Sequence, residues 1–217
     1  LQYCADNGIG CFRINSQILP LATHPVSGYR LSEMDEDGSI TASFQRAGHL
    51  AAELDIRLSF HPDQFVVLNS ERPQVVTASL QERHAQADLA SLIGADVLTL
   101  HAGSSAGGLP EALVRLERGI EQLSPSARER LALENDDRRF APASLLPLCE
   151  RLGVPLVYDV HHHRCNPDGL GIADATDRAI ATWSGRAPHF HLSSPRARWR
   201  GGDARPHADY VIPNDFP

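Results

Sequence analysis

Short apolar runs that end in a histidine or a carboxylate recur along this chain, and no other feature restricts its fold as strongly. His61 closes RLSFH, His101 closes VLTLH, Glu134 ends LALE, Asp159 and His162 follow PLVY, His189 and His191 sit in HFHLS, and His207 lies in RPHADY. One histidine behind a strand is usually a core or surface residue. Repetition through successive runs is hard to explain by packing alone, because parallel strands bring their C-terminal ends together. The pattern predicts a shared site at one end of a parallel sheet.

The strand-like runs cover 11–15, 57–61, 97–101, 131–135, 155–160 and 189–193, with 210–212 as a candidate seventh. Between them, apolar residues recur at helical spacing over 42–54, 74–93, 110–123, 143–152 and 173–183. Strand alternating with helix implies parallel pairing through right-handed crossovers. Such a sheet is either open and doubly wound or closed as a (β/α)8 TIM barrel. Chemistry-bearing residues at the ends of at least five runs favour the barrel, since only there does every strand deliver its end to one centre. A barrel needs eight strands and about 250 residues. The expectation is therefore a single TIM-barrel domain over 1–217, incomplete at both ends, with the first and last strands missing.

No G-x-G-x-x-G follows the first run and no phosphate-loop motif occurs, which removes support for a nucleotide cofactor. At 217 residues, 42% hydrophobic and 22% charged, the chain can bury one sizeable core. Its four cysteines (Cys4, Cys11, Cys149, Cys165) are scattered without a C-x-x-C pair, as expected for a cytoplasmic protein rather than a disulfide scaffold or zinc ribbon. No apolar stretch nears the roughly 20 residues that span a bilayer, and a monomer is expected. A net charge of −7 argues against non-specific nucleic-acid binding without excluding a local basic groove. All 20 basic residues are arginine.

Imidazole and carboxylate together suit manganese, iron or zinc, whereas so many nitrogen donors disfavour magnesium or calcium alone. One ion takes three or four protein ligands, so this many candidates imply two or three ions bridged by carboxylates, an arrangement suited to phosphoryl displacement. His49, His84 and His163 are read as plain surface residues. Arg196, Arg198 and Arg200, with Arg205, surround Trp199 in the densest basic cluster, which is either a phosphate-tracking surface or a solvated loop.

The order HPDQF, LHAG, LENDD, VYDVHHH, HLSS and HADY resembles the UV damage endonucleases, TIM-barrel repair enzymes related to endonuclease IV. FRINSQILPLATHP is similar to their early strand and loop, so the resemblance runs from about Gly8 to Asp215. It implies a hydrolase that incises damaged double-stranded DNA 5′ to UV photoproducts or other distorting lesions, using two or three divalent ions, manganese first and zinc, cobalt or magnesium as substitutes. In this resemblance His61, His101 and Glu134 hold one ion. Glu134 bridges to a second held by Asp159 and His191, and His162 and His207 serve a third. His24, in THP, would lie beside the scissile phosphate or the lesion.

Gln64 and Phe65 stand where the family carries a Gln-Tyr pair that probes the duplex. Phe65 is either that aromatic wedge or the start of an apolar run packed under its loop. His189 occupies the position of a carboxylated lysine that this lysine-free chain cannot make, and is the candidate replacement in catalysis and ligation. Two other classes compete. One is a sugar isomerase or epimerase barrel with a single divalent metal, and the other a catalytically degenerate remnant.

Overall fold

The computed structural model describes residues 1–62 and 65–217. In chain order its elements are α1 (Gln2–Asp6), β1 (Cys11–Ile14), α2 (Leu31–Met34), α3 (Ser39–Glu53), β2 (Arg57–Phe60), α4 (Pro73–Ile93), β3 (Val97–His101), α5 (Leu109–Glu121) and α6 (Pro125–Arg130). They continue with β4 (Leu131–Glu134), α7 (Pro142–Leu152), β5 (Leu156–Asp159), α8 (Val160–Cys165), α9 (Ile172–Ala181), β6 (Phe190–His191) and a 3-10 turn (Pro213–Asp215). The chain divides into two compact units. Leu1–Leu68, Arg72–Leu100 and Arg118–Leu131 form the first; Asn69–Glu71, His101–Glu117 and Ala132–Pro217 form the second.

In the first unit β1 and β2 pair in parallel with Ile14 opposite Phe60, and β2 and β3 pair with Phe60 opposite Leu98. Parallel neighbours require crossovers, which α3 and α4 supply. Helix α4 opens with Pro73, where a missing N–H costs nothing, and closes on Gly94 at φ 77, a left-handed cap that glycine adopts without penalty. Helix α3 approaches the end of α4 so closely that a Cβ on Gly48 would lie 2.4 Å from the carbonyl oxygen of Ile93. Only glycine fits that crossing.

In the second unit β4 pairs with β5, Glu134 opposite Val157, and β5 pairs with β6, Asp159 opposite His191. Every residue of β4 and β5 is buried, which explains why they read as continuous apolar runs. Just past α9, Thr182 Oγ1 accepts from the N–H of Leu156 at 2.9 Å and Trp183 Nε1 donates to its carbonyl at 3.0 Å. These two bonds fix the start of β5 on its helix layer. Trp183 is 1% exposed, so it also fills volume there.

The α/β alternation stands as the sequence predicts, and three local readings are corrected. Residues 210–212 form no strand: the N–H of Ile212 goes to Ser194 Oγ at 2.7 Å, and Pro213, with no N–H to give a ladder, starts the 3-10 turn. Strand β5 stops at Asp159 because that side chain caps α8, accepting from the N–H of His162 at 2.8 Å. The helix expected over 110–123 ends earlier, and Ser124 caps a separate α6.

Replacing Trp183 by alanine is expected to cost about 3–5 kcal/mol, the range for a fully buried large side chain, read as a lower urea midpoint. A loss below about 1 kcal/mol would show that the Trp183 anchor does not hold β5.

Candidate metal centre

Register alone assembles the centre of the second unit. Paired residues on neighbouring strands project to the same face, and so do residues two apart on one strand. Glu134 pairs with Val157, Val157 and Asp159 share a face, and Asp159 pairs with His191. Glu134, Asp159 and His191 therefore point into one space, and their donor atoms lie within 4.8 Å of one another.

The two carboxylates are 1% and 2% exposed. Buried like charges this close need a cation or protons to compensate them. Glu134 meets histidines on two sides: Oε1 lies 2.8 Å from Nδ1 of His191, and Oε2 lies 3.6 Å from Nε2 of His101. A separation of 2.8 Å is near the roughly 3 Å between adjacent ligands bound to one ion at about 2.1 Å each. The set of buried carboxylate oxygens and half-buried imidazole nitrogens without thiolate fits a first-row divalent ion.

Helix α8 separates three consecutive histidines. Successive helical residues are about 100° apart, so His161, His162 and His163 face three environments. His162 turns toward the cluster: its Nδ1 lies 2.9 Å from the Asn135 carbonyl, 3.5 Å from Asp159 Oδ2 and 3.6 Å from Glu134 Oε1. Its ring stands 5.9 Å from that of His101 and 5.6 Å from that of His207. His207 is exposed at its edge. Partial desolvation, with His161 and His162 beside it, lowers its pKa.

His163 is not the surface residue expected from sequence. It is 3% exposed and links the Tyr158 hydroxyl (2.7 Å from Nδ1) to Asp168 (2.9 Å from Nε2). Burial raises the phenol of Tyr158 to about 12. Burial also pushes the Asp168 carboxyl up, but N–H donors from Ala143 and Leu170 together with His163 outweigh it and hold the pKa low. Sequence reasoning missed His161 and Asn135 as well. The adjacency of three histidines behind a capping aspartate is the signal that could have found the helix.

His189 flanks His191 with rings 5.2 Å apart. In the first unit His61 directly follows β2, its Nδ1 3.1 Å from the Pro62 carbonyl. His24 sits in an exposed turn, its Nδ1 accepting from the N–H groups of Ser27 at 3.0 Å and Val26 at 3.3 Å. Phe65 is 79% exposed, so it is not packed under its loop, and Gln64 lies outside the described residues.

The arginine-rich segment is tied at its base. Pro195 and His207 form an antiparallel bridge, Arg196 N–H donates to the Pro206 carbonyl, and Ala208 N–H donates to the Ser194 carbonyl. Trp199 Nε1 donates to Asp215 Oδ1 at 2.8 Å, its ring lies 5.3 Å from His161, and the Arg164 guanidinium sits 5.6 Å over it. Arg196, Arg198 and Arg200 are exposed around this anchor.

A parallel α/β chain that gathers histidines and buried carboxylates at its strand ends carries residues able to hold a metal ion. The solved structure of SacUVDE superposes with a TM-score of 0.89 at 31% identity, covering 99% of this chain and 72% of that one. Endonuclease IV from Thermus thermophilus superposes with a TM-score of 0.65 at 20% identity over 95% of this chain and 74% of its own, a likeness of fold alone. The chain belongs to the UV-endonuclease UvdE family, whose model matches residues 1–217. A UV DNA damage endonuclease from Bacillus velezensis is 33% identical over 99% of this chain, which spans 66% of that relative's length.

Hydrogen bonds from Ser194 and Trp199, with Arg164 nearby, hold the Asp215 carboxyl below the ordinary aspartate range. A depressed carboxylate contributes stability that is present above its unfolded pKa and lost as pH falls through the folded one. In a Trp183→Phe protein, where Trp199 is the sole tryptophan, emission should therefore stay constant from neutral pH to about 4 and shift only in more acid solution. A shift centred near pH 6 would contradict the Asp215 anchor.

Proposed function

We propose that this chain carries the metal-binding centre of a DNA repair endonuclease that hydrolyses a phosphodiester 5′ to UV photoproducts or other distorting lesions in duplex DNA. The observation that supports this reading most is Glu134, a buried carboxylate with one oxygen toward His191 and the other toward His101. That is the disposition of a bridging ligand. Membership of the UV-endonuclease family favours this reading over a sugar isomerase.

In the proposal Glu134, Asp159 and His191 hold one divalent ion, manganese by preference, and Glu134 is shared with a second ion on the His101 side. His162 and His207 serve a third position. His61 is assigned as a metal ligand from its place directly after β2, and His189 as a donor beside His191. Bound divalent ions would polarise the scissile phosphate and supply a hydroxide-like nucleophile at neutral pH. The protein's own groups orient and exclude. Asp159 is split between capping α8 through Oδ1 and offering Oδ2, while the buried strands beneath keep water from the carboxylates.

Arg196, Arg198 and Arg200 track backbone phosphates from their Trp199-anchored loop. Phe65, exposed at 79%, fits an aromatic probe of weakened stacking, with Gln64, its neighbour in sequence, as the second member of the pair and His24 near the reacting phosphate.

Nicking of UV-irradiated supercoiled plasmid tests the reading. Activity should disappear with chelator, return with manganese, and be absent from a folded Glu134→Gln variant, since a neutral amide cannot bridge two cations. Retained nicking by that variant would overturn the assignment. Replacing Arg196, Arg198 and Arg200 by alanine should flatten the dependence of log K on log salt by about 2 to 3, near 0.9 per phosphate contact. An unchanged slope would remove the loop from the interface.

A further inference from the structure

The residue after Glu134 shapes the centre without offering a donor to it. Asn135 is 0% exposed and stands one position beyond β4. A buried amide leaves costly unmet hydrogen bonds unless its surroundings pair it on both sides. Here its Oδ1 accepts from the N–H of Asp159 at 2.9 Å, and its Nδ2 donates to the carbonyl of the same residue at 2.9 Å. This two-point clamp continues the β4–β5 ladder through a side chain after the β4 backbone has left it. It fixes the peptide groups on both sides of the Asp159 side chain.

The main chain of Asn135 performs a second task. Its carbonyl lies 2.9 Å from Nδ1 of His162. A carbonyl can only accept, so Nδ1 carries the proton. The carboxylate oxygens of Glu134 and Asp159, 3.6 Å and 3.5 Å from the same nitrogen, favour the proton there too. In the neutral ring the free lone pair is then on Nε2, the remaining nitrogen able to bind a cation. One residue thereby constrains two others that act on ions from different elements: Asp159 at the end of β5 and His162 in α8.

We infer that Asn135 is a positioning residue that clamps Asp159 and sets His162 in the Nδ1–H tautomer, so that His162 presents Nε2 to a divalent cation. The inference rests on the metal-centre reading above. It concerns a residue that touches neither ion nor phosphate. Groups of this kind, which orient ligands through hydrogen bonds, change metal affinity about 10- to 100-fold when removed.

The test combines two readouts on the full chain. Nitrogen-15 correlation spectra of the metal-free protein report which imidazole nitrogen of His162 is protonated, and manganese titration reports affinity. The parental protein should show His162 protonated at Nδ1. Asn135→Ala should weaken manganese binding about 10- to 100-fold and let His162 populate both tautomers. Asn135→Asp, which keeps the acceptor and loses the donor, serves as the second variant if alanine prevents folding. Thr182→Val is the control. It also removes a bond to β5, at Leu156 rather than Asp159, and should lower stability while leaving manganese affinity unchanged.

His162 protonated at Nε2 in the parental protein would overturn the inference, whatever the variants do. So would a folded Asn135 variant that binds manganese within twofold of the parent, or a Thr182→Val affinity loss equal to that of Asn135→Ala. A parental protein that binds no manganese yet shows the Nδ1–H tautomer would defeat the metal-centre reading while leaving the Asn135–His162 hydrogen bond standing.

Discussion

Two carboxylates buried side by side at the ends of adjacent parallel strands govern the second unit. Glu134 and Asp159 are almost wholly removed from water, and isolated ionised carboxylates in such a setting cost several kcal/mol each unless they are compensated. Compensation comes from around them: His191 on the neighbouring strand, His101 on the other side of Glu134, and His162 from the helix that Asp159 itself caps. A divalent ion satisfies the same charges more completely than protonated imidazoles. The cluster is thus a place where the fold accepts an electrostatic cost that protons or a bound cation relieve.

The strands that hold this cluster are rigid for ordinary reasons. β4 and β5 are buried along their whole length, and β5 is pinned at its start by Thr182 and Trp183 and at its end by Asn135. Side chains delivered from strand ends that are fixed at both termini keep their spacing without help from surface loops. The arginine segment is the converse case. It is long, exposed and irregular, and its order depends on Trp199 wedged among His161, Arg164 and Asp215. A rigid centre with an anchored basic loop beside it in the same unit suits the proposed grip on a charged polymer and the proposed action on one bond.

Much of this was legible in the sequence. Parallel buried strands must be apolar throughout, so VLTL, LALE and LVYD stand out against their helical neighbours, and the polar residues that end them mark the candidate site. Glu134, Asp159 and His191 were found that way, and the motif order pointed to the family. What escaped notice depends on local geometry that one-dimensional spacing hides. Asp159 ends a strand by capping a helix, which scatters His161, His162 and His163 to three environments and makes His163 a buried link between Tyr158 and Asp168. The apolar triplet 210–212 resembled a strand, but among the described residues no strand pairs with it, and Ser194 Oγ claims the N–H of Ile212. Asn135 looked like one polar residue among several in LENDD, and only its partners distinguish it.

Anomalous diffraction from crystals grown with manganese tests the central claim most directly. The account predicts a peak at bonding distance from Glu134, Asp159 and His191 together. Density showing those three side chains in place with no anomalous peak among them, or a peak held only by other residues, would contradict it.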